Sequence, residues 1–299
     1  MPGSLPERLY CIRSLLTRDP IVREVGLFAG LGSALSWYGL KRQSVLRRMR
    51  VEPIGQELDW IDFGAYGLAW PSAGSPSRLA TALVELLAPS NGHYYFCPPT
   101  RITPGDVVVD VGACEGGFAL ESLIRYEAAQ VWCFEPDSRM AEALQLTAER
   151  NGLEERLQVV PAALGASSGT VSFVESADDP LASYALSSEE PASSTQAVKS
   201  IEQFSLDHWA EQEGIPHLDY IKIDAEGSDL AVLQGARHSL ERWRPALAVT
   251  TYHHPDHCNR MIDYLSSLQL GYRFRVKGLV CFDSVPRPVM LHAACKSRG

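Results

Sequence analysis

Two groups of acidic and histidine residues have the composition of a proton-transfer or metal-binding site. Asp224 and Glu226 stand two positions apart directly after an apolar segment, and His253 and His254 follow another. Paired carboxylates can bind a divalent ion or deprotonate a hydroxyl group, and a neutral histidine is a suitable general base near pH 7. We expect His253 to be the base, because it directly follows Tyr252 at a strand end, with Asp224 and Glu226 beside it.

The same three residues, Asp224, Glu226 and His253, are also candidate ligands of a divalent metal ion, which would lower the pKa of an acceptor group. A metal-free base is favoured, because only one histidine of the pair is expected to point inward. The alternative to both is a purely structural role, in which the acids order a loop and cap a helix and Asp256 caps the next one. Asp229 is expected at the positive end of a helix.

A glycine-rich turn, DVGACEGGF at 110–118, follows the first strongly apolar run. Gly112 and Gly116 let the backbone bend tightly and approach a ligand closely. A dinucleotide-binding turn would have glycine where Cys114 stands, and the carboxylate of Asp110 would be unfavourable beside a diphosphate. The turn therefore suits a cationic or hydroxylated ligand, and an ordinary glycine turn is the alternative.

An acidic residue follows this turn at a diagnostic distance. Glu135 lies 23 residues beyond Gly112, at the end of the second apolar run. In nucleotide-binding folds an acid at that distance contacts the hydroxyl groups of a ribose. The turn and the acid together indicate a ligand that contains adenosine.

Apolar runs that alternate with amphipathic helices must position these residues. The expected core strands are VVVDVGA, QVWCFEPD, LQVVPAALG, DYIKIDAEG and ALAVTTYHH. The alternation predicts right-handed βαβ units and a mostly parallel sheet, whose strand ends share one cleft. YRFRVKG and VMLHAAC lack a helix between them and predict an antiparallel edge. The predicted fold is therefore an α/β, doubly wound, Rossmann-like sheet with an N-terminal helical cap.

The remaining segments define the expected boundaries. Residues 1–50 are expected to be helical and 51–100 mixed, which gives an N-terminal cap at 1–92 and a catalytic domain at 93–299. TVSFVE at 170–175 alternates and predicts an extra antiparallel strand. Residues 176–200 are expected to form a loop, either a lid over the cleft or a disordered insertion.

Composition excludes several classes of protein. Acids outnumber bases 36 to 27, so a dedicated nucleic-acid binder is not expected. The seven cysteines lack CxxC spacing, which fits reduced thiols in a cytoplasmic protein. The first 50 residues hold nine basic side chains against three acidic ones, but the uncharged run between Glu24 and Lys41 is only 16 residues long and rich in glycine. We therefore expect no membrane span; an oligomer is compatible with the sequence.

Six segments together resemble one known family. They are GDVVVDVGACEGGFAL, CFEPDS, VVPAALG, SLDHW, DYIKIDAEGSDLAVLQGA and AVTTYHHPD. With these segments the chain resembles the FkbM family of class I S-adenosylmethionine-dependent methyltransferases, over about residues 93–275. Many members of that family carry a glutamate at the end of strand five, where this chain has Thr250 to His254, so we expect the acceptor to be handled differently.

The resemblance implies S-adenosylmethionine as cofactor and a small-molecule acceptor. The turn at 110–116 would contact its methionine and ribose, Glu135 the ribose hydroxyls, and the stretches at 137–138 and 161–163 the adenine. The implied cofactor-binding residues are Asp110, Gly112, Ala113, Gly116, Glu135, Pro136, Asp137, Ala162 and Asp224. We expect methyl transfer to a hydroxyl oxygen of a sugar or secondary metabolite. The alternatives are a nucleotide-dependent oxidoreductase or epimerase, which Cys114 disfavours, and a non-catalytic module that binds the cofactor.

Overall fold

A computed structural model describes residues 5–17, 25, 38–176, 183–185, 197–282 and 285–295 of the 299-residue chain. A seven-stranded sheet lies at its centre. In spatial order its strands are β13 (Tyr272–Phe282), β14 (Val285–Cys295), β12 (Ala246–Thr250), β11 (Tyr220–Ile223), β4 (Val107–Val111), β5 (Gln130–Phe134) and β6 (Leu157–Val160). The five strands from β12 to β6 are parallel, and β14 and β13 add an antiparallel edge. The predicted α/β class and mostly parallel sheet are confirmed.

Helices cover both faces of this sheet. They are α4 (Gly117–Leu120, continued by a π-helix at Glu121–Arg125), α5 (Ser138–Arg150), α6 (Leu206–Gln212), α7 (Asp229–Gly235), α8 (Arg237–Trp243) and α9 (His257–Ser267). Because the sheet is covered on both sides, the central strands are apolar on both faces apart from the ion pair of Asp110 and Lys222. Every residue of β4 and β11 is buried.

The order of the strands places a crevice beside β4. From β4 the chain proceeds outward to β5 and β6 and then returns to β11 and β12 on the other side of β4. At such a reversal the connections leave the carboxyl ends of two neighbouring strands in opposite directions, and ligands bind in the gap. The glycine turn after β4 and the acids after β11 therefore meet there, as predicted.

A second sheet contains the extra antiparallel strand. Its order is β7 (Ala163–Leu164), β10 (Ala197–Phe204), β8 (Gly169–Glu175) and β9 (Tyr184–Ala185). The strand expected at 170–175 is thus confirmed. The prediction of a loop over 176–200 is wrong at its C-terminal end. There, residues from 197 onward belong to β10 and pair with β8 along the whole length of β8. Most of that loop, at 177–182 and 186–196, lies outside the described residues, and with it the lid prediction.

The N-terminal part contains helices and a small sheet. Its elements are α1 (Leu5–Thr17), α2 (Tyr38–Leu46), the antiparallel strands β1 (Arg50–Ile54), β2 (Leu58–Asp62) and β3 (Gly67–Pro71), and α3 (Pro76–Leu87). β3 packs on α5, where the Ala69 backbone N–H donates to Thr147 Oγ1 at 2.8 Å. The division at residue 92 remains a prediction. Within the described ranges, no helix has both the length and the apolar character needed to cross a bilayer.

Candidate functional site

A cavity of about 360 Å³ lies at the carboxyl ends of β4, β5 and β11. Its volume is within the range of small-molecule sites in proteins. Its wall includes most of the predicted cofactor-binding residues, namely Gly112, Ala113, Glu135, Pro136, Ala162 and Asp224. Glu226 also lines it.

The glycine turn is packed directly against the end of β11. Gly112 has a φ of +70°, and a Cβ atom there would lie 1.9 Å from the carbonyl oxygen of Asp224. Gly116 has a φ of +78°, and a Cβ there would lie 2.4 Å from Leu144 Cδ2. Only glycine meets both demands at these positions, which are a left-handed backbone and the absence of a side chain. Gly116 does not line the cavity; it lets the turn pack on α5.

Glu135 holds the turn from the neighbouring strand. Its Oε2 accepts a hydrogen bond from the Cys114 backbone N–H and its Oε1 accepts one from the Asp137 N–H, both at 2.8 Å. Burial raises the pKa of Glu135 to about 7, against the opposing effect of these two hydrogen bonds. A carboxylate oxygen can accept more than one hydrogen bond, so Glu135 retains acceptor capacity for a ligand in the cavity.

Asp110 lies behind the turn rather than on the cavity wall. It is fully buried, and its Oδ1 is 2.9 Å from the ammonium nitrogen of Lys222 on β11. Lys222 also donates to the carbonyl oxygens of Val111 and Gly112. Burial disfavours the Lys222 ammonium, but Asp110 outweighs this and raises the pKa of Lys222. Lys222 therefore pairs with an acid inside the sheet, and the pair supports the turn from below.

Asp137 also lies away from the cavity wall. It is the N-cap of α5 and accepts hydrogen bonds from the backbone N–H groups of Arg139 and Met140. Its carboxylate also pairs with the Arg139 side chain at 2.8 Å and accepts from Ser183 Oγ at 3.0 Å. These hydrogen bonds give Asp137 a structural role at the start of α5. Its contact with a cofactor stays a prediction.

Asp224 is held by two hydroxyl groups from different parts of the chain. Tyr95 donates to its Oδ2 at 2.8 Å, and Thr250 Oγ1 lies 3.0 Å from its Oδ1. Tyr95 comes from the aromatic segment before β4, and Thr250 ends β12. β11 and β12 form a parallel pair, so the residues that follow these two strands lie side by side.

His253 lies between three carboxylates. Its Nδ1 is 2.8 Å from Asp229 Oδ2, and its Nε2 is 3.4 Å from Glu226 Oε2 and 3.8 Å from Asp224 Oδ1. Burial alone would lower the pKa of His253, but Asp229, followed by the other two acids, raises it well above its usual value. The expectation of a neutral His253 facing the cleft therefore needs correction. The ring is an imidazolium at neutral pH, and it stands behind Glu226 and Asp224 instead of lining the cavity.

Asp229 is the member of this cluster whose role the sequence did not reveal. It begins α7 as expected, but it is fully buried and accepts from the Ala225 and Gly227 backbone N–H groups besides contacting His253. The atoms of Asp224, Asp229 and His253 lie within 4.8 Å of one another, a spacing compatible with a metal ion. This grouping has Asp229 where the predicted ligand set had Glu226, and a metal site of either composition stays a prediction. Its oxygens already have these donors, so the cluster is hydrogen-bonded without an ion.

The charge of the cavity wall favours a cation. The described part of the wall carries the carboxylates of Glu85, Glu115, Glu135, Asp224 and Glu226, against the basic side chains of Arg78 and Lys222. Burial raises the pKa of Glu115, like that of Glu135, to about 7, and a cation bound in the cavity would favour the ionised form of both groups. A diphosphate would meet repulsion here, whereas a sulfonium ion or a ligand with several hydroxyl groups would be stabilised.

Comparison with known proteins gives one family. Residues 110–274 match the methyltransferase FkbM domain. The 2-O-methyltransferase NoeI of Sinorhizobium fredii is 28% identical over 152 residues, which cover 47% of this chain and 61% of that protein.

Two solved structures are similar at low identity. A methyltransferase FkbM from Methylobacillus flagellatus KT shares 19% identity with a TM-score of 0.48, over 85% of this chain and 58% of that one. A precorrin-6y C5,15-methyltransferase from Geobacter metallireducens shares 10% identity with a TM-score of 0.41, over 66% of this chain and 83% of that one. This chain therefore spans less than two thirds of both NoeI and the Methylobacillus protein.

Proposed function

The chain belongs to the FkbM methyltransferase family, and we propose that it transfers the methyl group of S-adenosylmethionine to a hydroxyl oxygen of a small-molecule acceptor. The observation that carries this proposal is the meeting of the glycine turn with Asp224 and Glu226 in one cavity. A sugar or secondary metabolite is the acceptor class we favour, and the name of the similar NoeI protein, a 2-O-methyltransferase, supports oxygen as the methylated atom.

The cavity fits the cofactor in charge and shape. Its acidic wall suits a sulfonium, and the backbone of Gly112 and Ala113 is open to a ligand. We assign the ribose hydroxyl groups to Glu135, the adenine to the wall at Pro136 and Ala162, and the methionine end to the side near Asp224. Bound S-adenosylmethionine supplies a methyl group that its sulfonium makes electrophilic.

Glu226 is the group we assign to the acceptor proton. It lines the cavity with a side chain that is 41% exposed, and burial of the rest of the residue raises its pKa. His253 stands on the far side of the Glu226 carboxylate and supplies a positive charge, which Asp229 holds in place. The acceptor hydroxyl would donate its proton to Glu226 as the methyl group arrives, and Asp224 would stay fixed by its contacts with Tyr95 and Thr250.

The test is turnover with a panel of sugars and other hydroxylated acceptors. S-adenosylhomocysteine should form together with an acceptor that has gained the mass of one methyl group. We expect Glu226→Gln to lower kcat by about 10²-fold or more, the usual scale of general-base catalysis, with unchanged affinity for S-adenosylhomocysteine. Glu142→Gln, at an exposed position of α5, is the matched control. Binding of the cofactor without transfer to any acceptor would favour a non-catalytic module instead.

A cytoplasmic location and the absence of nucleic-acid binding are inferences from composition. The acidic balance of the chain and its scattered cysteines favour them.

A further inference from the structure

The cavity has a second wall that comes from outside the family-matched residues 110–274. α3 buries Leu79 and Leu83 in the core, and its neighbouring face presents Arg78, Thr81 and Glu85 to the cavity. His93 follows α3 and also lines the cavity. The spacing of the helical residues is that of one helix face, so the polar groups form a row opposite the strand ends.

Within the described part of the chain, His93 places an unpartnered polar atom beside Glu85 in this wall. His93 Nδ1 and Glu85 Oε1 are 3.7 Å apart, which is too far for a hydrogen bond. The His93 side chain is only 11% exposed, and its Nδ1 has no hydrogen-bond partner among the described residues. A buried polar atom without a partner is unfavourable, so a group that bonds to it from the cavity would be stabilised.

The ring of His93 is held in place beside the proposed reaction centre. Its backbone N–H donates to Asn91 Oδ1 at 2.9 Å, and the ring packs edge-on against Tyr252 with centroids 5.1 Å apart. Tyr252 in turn contacts the ring of His253, at 4.2 Å between centroids. Tyr95, two residues after His93, donates to Asp224. The short segment at 93–95 therefore links the second wall to the carboxylate cluster.

We propose that Glu85 and His93 form an anchor for a second hydroxyl group of the acceptor, and so select an uncharged polyhydroxylated substrate. A hydroxyl group both donates and accepts, so it can accept from Nδ1–H of His93 and donate to Glu85 at once. The proposal rests on the proposed function, because the first hydroxyl is the one that is methylated near Glu226. The anchor residues are positioning residues, since neither is assigned the reacting proton.

The charge state of His93 agrees with this assignment. Burial lowers the pKa of His93 to about 4, although the carboxylate of Asp224 opposes this. The ring is therefore neutral near pH 7 and binds through hydrogen bonds and not through charge. A neutral imidazole next to a carboxylate suits a hydroxyl group better than a phosphate or a carboxylate of the acceptor.

The test compares a polyhydroxylated acceptor with its deoxy analogues. His93→Phe keeps a ring against Tyr252 but removes both nitrogens, and Glu85→Gln keeps the shape but removes the charge. Glu85→Gln should raise KM for the full acceptor by about 10-fold or more, the scale of a hydrogen bond to a charged group, with kcat changed less. His93→Phe should raise it by roughly 3-fold to 10-fold, the scale of a hydrogen bond between neutral groups. Each should leave KM for the analogue that lacks the second hydroxyl unchanged. The double variant should cost less than the sum of the two single variants, because both residues bind one group and their effects are coupled.

Controls separate the anchor from folding and from the proposed function. The affinity for S-adenosylhomocysteine should stay within about twofold of wild type in both variants, as in Glu142→Gln. If His93→Phe fails to fold, Glu85→Gln decides, because its side chain is 22% exposed. An unchanged preference between the full and deoxy acceptors would overturn the anchor. If no hydroxyl compound is methylated, the proposed function fails, and calorimetry of polyol binding to the S-adenosylhomocysteine complex still tests the anchor through its loss in both variants.

Discussion

At the scale of single residues, the carboxylates of the cleft differ in how many donors already occupy them. Asp229 accepts from two backbone N–H groups and contacts His253, and Asp224 accepts from Tyr95 and lies within bonding distance of Thr250. Glu226 has only the long contact to His253 among the described residues. An acid whose oxygens already accept hydrogen bonds is fixed in place, so Glu226 is the one with most capacity left for an acceptor proton.

Glu135 is predicted to hydrogen-bond to the ligand while it holds the glycine turn in place. We expect Glu135→Gln to weaken binding of S-adenosylhomocysteine by about 1.5–3 kcal/mol, the worth of hydrogen bonds to a charged group. The amide has one acceptor oxygen, so it cannot accept from both Cys114 and Asp137 as the carboxylate does. Calorimetry measures the change, and Glu142→Gln is its control. Affinity equal to wild type would show that Glu135 does not contact the cofactor.

The charge of His253 gives a pH dependence whose sign follows from its neighbours. The folded chain holds the pKa of His253 above its unfolded value, so the stabilisation is fully present below about pH 6.5 and is lost as the pH rises through the folded pKa. Asp229→Asn should lower that pKa and destabilise the fold by about 3 kcal/mol at pH 6, and by less at higher pH.

Histidine NMR titration and urea unfolding at several pH values measure these two effects. Asp256→Asn is a suitable control, because the Asp256 side chain is 64% exposed and lies 3.7 Å from the guanidinium of Arg260, which is itself exposed. A His253 that is neutral at pH 7 in the wild type would contradict the interpretation of the cluster.

The sequence predicted which residues form the site better than it predicted what each of them does. The spacing of Asp224, Glu226 and His253 correctly brought them together, because strand ends of a parallel sheet share one edge. The charge of His253 could not be predicted, because it depends on Asp229, which looked like an ordinary helix start. His93 and Tyr95 were also missed as site residues, because only tertiary contacts bring their irregular segment to the cavity.

At the scale of elements, the glycine turn that follows β4 packs directly against the end of β11. We expect Gly112→Ala to abolish binding of S-adenosylhomocysteine and to destabilise the fold by more than the roughly 1–2 kcal/mol that a left-handed residue costs, because its Cβ would meet the Asp224 carbonyl. Gly55→Ala is the matched control, since Gly55 has a φ of +76° and a Cβ added there would meet no atom within 4 Å. Urea unfolding and calorimetry compare the two variants, and equal losses would mean that the contact with β11 is unimportant.

Strands were predictable from the sequence where their burial requires a continuous run of apolar residues. The core strands are continuous apolar runs because both of their faces are covered, and that signal is independent of their partners. β10 was partly assigned to a loop because half of its residues, AVKSIEQF, are polar and its start is exposed. The small sheet of β1 to β3 was not predicted either, since Pro53 and the nearby glycines are residue types that strands disfavour.

At the scale of the whole molecule, hydrogen bonds join the N-terminal part to the methyltransferase sheet. Thr147 of α5 is fully buried and accepts from the Ala69 N–H of β3. Thr147→Val keeps the shape but leaves that N–H without its acceptor, so we expect a loss of about 1–3 kcal/mol in urea unfolding. Thr170→Val, at an exposed position of β8, should change stability by less than about 0.5 kcal/mol.

The same contacts predict how the molecule unfolds with ligand bound. S-adenosylhomocysteine at about 100 times its Kd should add about 2.7 kcal/mol to the free energy of unfolding, which corresponds to a rise in Tm of roughly 5–10 °C. Because α3 lines the cavity and β3 packs on α5, the N-terminal part should gain this stability together with the sheet. Calorimetry should then show one transition that shifts as a whole. Two transitions, of which the ligand moves only one, would mean that the boundary expected near residue 92 separates independent folding units, and the second wall of the cavity would then be able to open without unfolding the sheet.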